Sequence, residues 1–476
     1  MSDEMIIDTS GSATDGQTKC PKCGATDIST NESTGMLRCN FCRYTFQPEV
    51  LEDMQSGVGN LSGEQIGSGA VDIDEQAETM VTMKCTSCGA EVVVNMNEST
   101  QARCHWCRNM LSINSKVPNG AVPDVILPFK MKREEAKELI DGFVGKRKFY
   151  ANKVFRREFS TENVMGVYFP YMLVDMKGHA TFEGVGEHEK SRRTVTRKSG
   201  DKEIKETIYT VQAFKVQREC DVEIDDLAVE ASVRRAGASV ENETNNIINA
   251  ILPFDTENCV KFDSNYLNGY TSEKRDANKD ELQGIVDSQE REATKFALNP
   301  SVEKYDRGVN WTHAEVQKEG EKWLSAYLPV WLYSYVESPG TPKQLTHYVA
   351  VNARTKETTG SVPLNKGRLA FFTALIGLLT LLFTSFICFS NVSEFDVESL
   401  FLLLTPPIVA SAAFFWIIYS RYRNTGARHH FENETKIHIS NIQADDEMIR
   451  VFETENSHFS EANNTKVTVE HLSRRA

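Results

Sequence analysis

Residues 312–335 read THAEVQKEGEKWLSAYLPVWLYSY, and the way this stretch divides decides the architecture of the whole middle of the chain. Its first part, 312–326, is charged and reads as a helix; its second, 325–335, alternates apolar residues and reads as a strand. An earlier stretch repeats the arrangement. KREEAKELIDGFV at 132–144 sets Ala136, Leu139, Ile140 and Phe143 on one helical face, and GVYFPYMLVDM at 166–176 follows as a strand. Both strands share the frame small-x-Tyr-apolar-Pro. Downstream, THYVAVNARTKETTGSVP at 346–363 reads as strand, polar turn, strand. The division predicts an α+β middle of two related units with antiparallel sheets, 117–220 and 301–366. An acidic, partly helical connector over 221–300 joins them.

Beyond the second unit the chemistry changes. Residues 369–389 and 400–419 carry no charge, and at about 1.5 Å per residue each spans about 30 Å, the thickness of a bilayer's hydrocarbon core. Two such runs in succession argue against a buried globular helix and predict a two-helix transmembrane hairpin. Glu394, Asp396 and Glu398 lie between the runs, whereas Lys366, Arg368, Arg421, Arg423 and Arg428 flank their outer ends. The positive-inside rule then places both termini in the cytoplasm, in the inner (plasma) membrane. Neither run holds an ionisable side chain, so the hairpin reads as an anchor without an ion path. Pro406-Pro407 is expected to kink the second helix, and 421–476 reads as a polar cytoplasmic tail.

Toward the other end, eight of the eleven cysteines fall in two copies of C-x2-C-x15-C-x2-C: Cys20, Cys23, Cys39, Cys42 and Cys85, Cys88, Cys104, Cys107. This spacing brings two pairs of thiolates together across a β-hairpin and predicts two small all-β zinc ribbons, 19–47 and 83–115. Four sulfurs close a tetrahedron and leave no position for substrate, so two structural Zn2+ ions are expected. The fillings agree: Gly24 and Gly89 follow the second ligand, and Asn-Glu-Ser-Thr recurs at 31–34 and 97–100 as turn chemistry. His105 lies in the last knuckle, but four cysteines already complete that set. Cys220, Cys259 and Cys388 stand alone and read as small buried apolar side chains. Residues 1–18 read as disordered and 48–82 as a flexible linker rich in Gly, Ser and acidic residues. No secretory signal pattern stands at the start, so the ribbons are expected in a reducing cytosol.

A hydrophobic content of 40% supports packed cores, and 53 basic against 67 acidic residues leaves −14, which argues against a chain that coats nucleic acid through bulk charge. Local patches remain. GKRKFYANKVFRREF, 145–159, sets Lys146, Arg147, Lys148, Lys153, Arg156 and Arg157 among four aromatics, a mixture suited to nucleic acid, to anionic lipid headgroups, or to neither. A second basic cluster, Lys190, Arg192, Arg193, Arg197 and Lys198, falls at an expected hairpin tip. His179, Glu183, Glu187 and His188 gather in a short span, yet 179 and 188 differ in strand parity and meet only if Gly184 and Gly186 make a turn.

Taken together, VILPFKMKREEAKELI, GVYFPYMLVD, LPFDTENCVKFDSNYLNGY and YLPVWLYSY with HYVAVNARTKETTGSVPLNKG resemble the bacterial TFIIB-type zinc-ribbon membrane proteins. The resemblance covers about 85–390 and implies a zinc-binding membrane protein of uncharacterised role. Members of that family sometimes carry a primosomal, PriA-like helicase label. This chain has no G-x-x-x-x-G-K-[ST] loop, which excludes ATP-driven unwinding of that kind, and no G-x-S-x-G or H-E-x-x-H either. The expected function is a non-enzymatic, membrane-anchored adaptor for a protein partner. The alternative is a membrane-associated nucleic-acid binder using the ribbons and the 145–159 patch.

Overall fold

The computed structural model describes residues 20–23, 25, 28–30, 36–47, 57–67, 70, 80–84, 91–95, 102–105, 110–111, 116–117, 123–199, 202–232, 251–262, 264–267, 269–337, 345–391, 397–423 and 435–459. A small antiparallel sheet opens the chain, made of β1 (Ile28–Thr30), β2 (Leu37–Cys39) and β3 (Thr45–Phe46). It packs Leu37 and Phe46 against the main core. Next come β4 (Gly63–Ile66), β5 (Met80–Lys84), β6 (Glu91–Asn95), β7 (Ala102–Arg103), β8 (Met110–Leu111) and β9 (Lys116–Val117). Several of these short strands belong to the large central sheet. β4 pairs in parallel with a later long strand, and β5 and β6 join the same sheet, so the span expected as flexible linker is in part docked. Leu61 is buried there and Lys177 Nζ donates to the Gly59 carbonyl at 2.8 Å.

The main body consists of β10 (Val125–Ile126), α1 (Arg133–Gly145), α2 (Lys153–Glu158), β11 (Met165–Ser199), β12 (Lys202–Glu230), β13 (Val260–Lys261), β14 (Thr271–Glu273), α3 (Lys279–Ala297), β15 (Val309–Glu337), β16 (Leu345–Asn352) and β17 (Thr358–Gly360). The helix expected over 312–326 is not formed, because that stretch is the first half of β15. Trp311, Ala314 and Val316 pack on the core while Asn310, Glu315, Gln317 and Glu319 face solvent. Helical propensity is weak against a strand ladder running the length of the segment: β15 pairs antiparallel with β11 from Met165↔Leu332 to Gly186↔Val309.

That pairing joins the two repeated motifs. Tyr168 lies opposite Pro329, Pro170 opposite Tyr327, and Phe169 opposite Leu328. The expected two units therefore share one sheet rather than owning one each. Strands are also exchanged between the runs β10-α1-β11 and β14-α3-β15: the short strand of each run pairs in parallel with the long strand of the other. The expected connector is likewise absorbed in part, since 221–230 continue β12, and β13, β14 and α3 lie in the rest of its described residues.

Strand alternation divides the core. Tyr168, Tyr327, Trp331 and Tyr333 point to one face, where α1 covers them with Ala136, Ile140 and Val144. On that face's other end α3 lays Leu282, Ile285 and Val286 over Met172, Val174, Val222 and Trp323. Val167, Phe169, Tyr171, Leu328 and Val330 point to the opposite face, under Ile251, Leu252 and Phe254.

Two helices come next, α4 (Lys366–Asn391) and α5 (Val397–Arg423), the latter running through Pro406 and Pro407. Lys366–Cys388 and Leu403–Tyr422 are long and apolar enough to cross a membrane, with mean hydropathies of 2.2 and 1.6. Only 6% of each apolar window is buried, which a soluble core helix would not tolerate. The helices pack on one another: a Cβ at Gly377 would lie 2.7 Å from Ser411 Oγ, and Thr384 Oγ1 donates to the Leu403 carbonyl. The acidic segment expected between them lies mostly outside the described residues. The expected polar tail is a correction: 436–454 form β18 (Lys436–Thr454), paired antiparallel with β12 from Asp225↔Lys436 to Tyr209↔Thr454. Ile437, Ile439 and Phe452 give it the apolar face that such docking needs.

Candidate metal centre and helix-end collar

The first cysteine frame closes as its spacing requires. The sulfurs of Cys20, Cys23, Cys39 and Cys42 all lie within 4.8 Å of one another. Cys20 Sγ is 3.5 Å from Cys42 Sγ, and Cys23 Sγ is 3.6 Å from Cys39 Sγ. These distances are far beyond the roughly 2.05 Å of a disulfide. The strands β1 and β2 return the second pair to the first, and Arg43, at φ 60°, closes the knuckle after Cys42. The Cys42 N–H donates to Cys39 Sγ at 3.4 Å. Burial pushes the Cys20 thiol up, but hydrogen bonds from the Lys22 and Cys23 backbones and from neighbouring thiols outweigh it and bring it down to about 7. Four thiols this close, one easily ionised, can hold a metal ion.

One residue in that knuckle carries no mark in the sequence. Phe41, between Cys39 and Cys42, is 80% exposed, and Tyr44 beside it is also exposed, with Lys22 Nζ 5.7 Å above its ring. Alternation carries no signal for this exposure, because a knuckle residue belongs to no strand face.

The second frame is only partly in view. Cys104 is buried, while Cys85, Cys88 and Cys107 lie outside the described residues. The described part is built into the large sheet: His105 Nε2 is 2.6 Å from Glu273 Oε2 on β14, and Ser334 Oγ donates to the His105 carbonyl at 2.6 Å. Strand β6 reaches β14 through Ser272↔Val93. The lone Cys220, Cys259 and Cys388 are all buried.

The span from His179 to His188 makes no cluster. β11 runs straight through it, so nine residues place the two imidazoles about 30 Å apart along the strand. His179 instead meets Asp221 at 2.9 Å, Glu183 accepts from Gln217 at 2.6 Å, Glu187 pairs with Arg307 at 3.2 Å and His188 with Asp306 at 3.3 Å. Two other carboxylate groups do converge. Lys318 Nζ already sits among Asp287, Glu290 and Glu321, at 2.7 Å from the first and 2.9 Å from the second. In the other, Asp175 accepts from the Asp226 N–H at 2.9 Å beside Asp225.

The basic stretch 145–159 has a definite address. Arg147 is buried, donating to the carbonyls of Phe143 at 2.9 Å and Arg421 at 3.1 Å. Tyr422 Oη donates to the Arg147 carbonyl and accepts from the Tyr150 N–H. From the other apolar helix, Arg368 Nη1 donates to the Phe149 carbonyl at 2.6 Å while its guanidinium lies 4.6 Å from the Phe149 ring. Asn365 N donates to the Tyr150 carbonyl at 2.7 Å, and Phe372 packs on both Phe149 and Tyr150. Residues 147–152 are thus wedged as a collar between the start of α4 and the end of α5. Lys148 on it and Lys146, Lys153 and Arg157 flanking it remain exposed, and Arg156 is half-buried.

The chain is similar to YdjG of Bacillus subtilis. That relative, described as an uncharacterized protein of strain 168, is 22% identical over 360 residues, covering 75% of this chain and 94% of its own length. No family model matches the chain, and no solved structure does.

Proposed function

We propose that this chain is a non-enzymatic, membrane-anchored zinc-ribbon adaptor of the TFIIB-type ribbon membrane proteins that it resembles. α4 and α5 cross the plasma (inner) membrane as a hairpin, with both termini in the cytoplasm. The pairing of β18 with β12 supports this, because it requires the chain before α4 and after α5 to share one side. Cys20, Cys23, Cys39 and Cys42 hold a structural Zn2+ ion, and Cys85, Cys88, Cys104 and Cys107 a second. Four thiolates about 2.3 Å from zinc stand about 3.8 Å apart, close to the 3.5 and 3.6 Å separations of the first set.

The observation that carries the adaptor reading is Phe41. A metal-closed knuckle is rigid without a large core, and a nearly fully exposed phenylalanine on it is an anchor awaiting a pocket. The alternative, a nucleic-acid binder, is weaker: Arg147 of its basic patch is turned inward and the rest sit on the collar.

The test replaces Phe41 in the full-length protein with a photoreactive phenylalanine analogue in living cells, with the same analogue at exposed Glu158 as control. The expected result is a nuclease-resistant protein adduct from position 41 alone, lost when Cys20→Ser and Cys23→Ser remove the metal site. A nuclease-sensitive adduct, or no adduct specific to position 41, overturns the reading.

A further inference from the structure

The collar between the two apolar helices does more than join them to the sheet. Its backbone is tied to both helices: the carbonyls of Arg147, Phe149 and Tyr150 accept from Tyr422, Arg368 and Asn365, residues at the ends of α4 and α5. Those ends are where an apolar helix leaves the hydrocarbon and meets headgroups. The collar is therefore held at that depth by hydrogen bonds to both helices. Lys146 and Lys148 are exposed on either side of inward-turned Arg147, and Lys153 and Arg157 are exposed on α2, the latter 3.7 Å from Glu158. Lys366 is exposed at the first position of α4. Phe149 is half-exposed, with its ring against Phe372 of the hairpin, so an apolar wedge stands beside the lysines.

We infer that residues 146–157 form a binding site for anionic phospholipid headgroups of the bilayer that holds the hairpin. The inference rests on the membrane reading above. The occupant is set by continuity and charge: whatever surrounds α4 and α5 must also meet the collar, and from Lys146 to Arg157 the exposed charges are positive, with Glu158 following beside Arg157. A lysine needs no fixed geometry to meet a phosphate, since its ammonium acts as a point charge on a flexible stem. Each such base near an anionic surface strengthens binding about fivefold.

The experiment uses the full-length protein in mixed micelles holding equal amounts of phosphatidylglycerol and phosphatidylcholine, with retained lipids counted by native mass spectrometry. Resistance of the protein to alkaline extraction from cell membranes is measured on the same preparation. The expected result is a preference for phosphatidylglycerol that falls about fivefold for each of Lys146→Gln and Lys148→Gln. Lys215→Gln, an exposed site on β12, leaves it unchanged, and excess glycerol phosphate does not displace the lipid. Membrane-integrated protein with no preference, or one that the substitutions leave intact, overturns the inference while the membrane reading stands. Displacement by glycerol phosphate also overturns it, as does patch-dependent binding of an oligonucleotide without lipid preference. Release of the protein by alkali would instead remove the membrane reading itself.

Discussion

At the scale of single residues, the molecule keeps several carboxylates where their charge is unwelcome. Burial lifts Glu290 to about 7 even though Lys318 lies 2.9 Å away, because Glu321 and Asp287 compete for the same ammonium. Burial, and then the charge of Asp175, lifts Asp226 to about 7 as well. An unfolded chain titrates these groups near 4. A folded pKa above the unfolded one means that the folded state favours the proton. Their contribution to stability is then full below about pH 4 and is lost as pH rises through about 7. Glu290→Gln and Asp226→Asn are expected to raise the melting temperature of the solubilised protein, by more at pH 8 than at pH 5. Asparagine also suits the φ of 52° that Asp226 adopts. Thermal melts at the two pH values decide it, and an equal gain at both would remove the electrostatic explanation.

At the scale of elements, glycine decides which segments can touch. A Cβ at Gly320 would lie 2.6 Å from the carbonyl carbon and oxygen of Leu61, backbone atoms that have nowhere to go. This close approach lets β4 dock on β15, and it is the reason the expected linker is not free there. Gly320→Ala is expected to expel β4, so that limited proteolysis cuts within 57–66 much faster than in the native chain. Gly142, on the open surface of α1, meets nothing within 4 Å. Gly142→Ala should stabilise by up to about 1 kcal/mol, since alanine is the better helix former. If Gly320→Ala left the cleavage rate unchanged, the docking of β4 would be in error. The glycines themselves stand in the sequence, but nothing near Gly320 announces that its neighbour lies some 260 positions away.

For the whole molecule, β18 is the constraint that matters most. It pairs with β12 along most of its length, and Arg218, buried on β12, reaches Asp446 at 2.8 Å to lock the register. A chain that leaves the sheet through α4 must come back through α5 to make that strand. On the proposed topology, labelling by a membrane-impermeant thiol reagent in intact cells is expected to reach Glu394→Cys between the helices, above the background of the native chain. A cysteine replacing Ser460, beyond β18, should react only after the cells are opened. Reaction of position 460 from outside would contradict the shared side.

The sequence by itself determined the features whose causes are contiguous. Cysteine spacing brings Cys20, Cys23, Cys39 and Cys42 together because a short hairpin has few ways to close. Length and apolarity mark the two helices because a span long enough to cross a bilayer is made of consecutive residues. Helix α1 was legible from one face of four apolar side chains, and the β16 and β17 segments from their turn. Tertiary structure alone decided the rest. Residues 312–326 became strand because β11 offered a ladder that a local pattern cannot reveal. The tail became β18, the linker gained β4, and Arg147 turned from a surface charge into a clasp on Arg421 and Phe143, each through partners distant in sequence. Such choices are set by which surfaces remain open once the core has formed, and that competition is written in no single stretch of the chain.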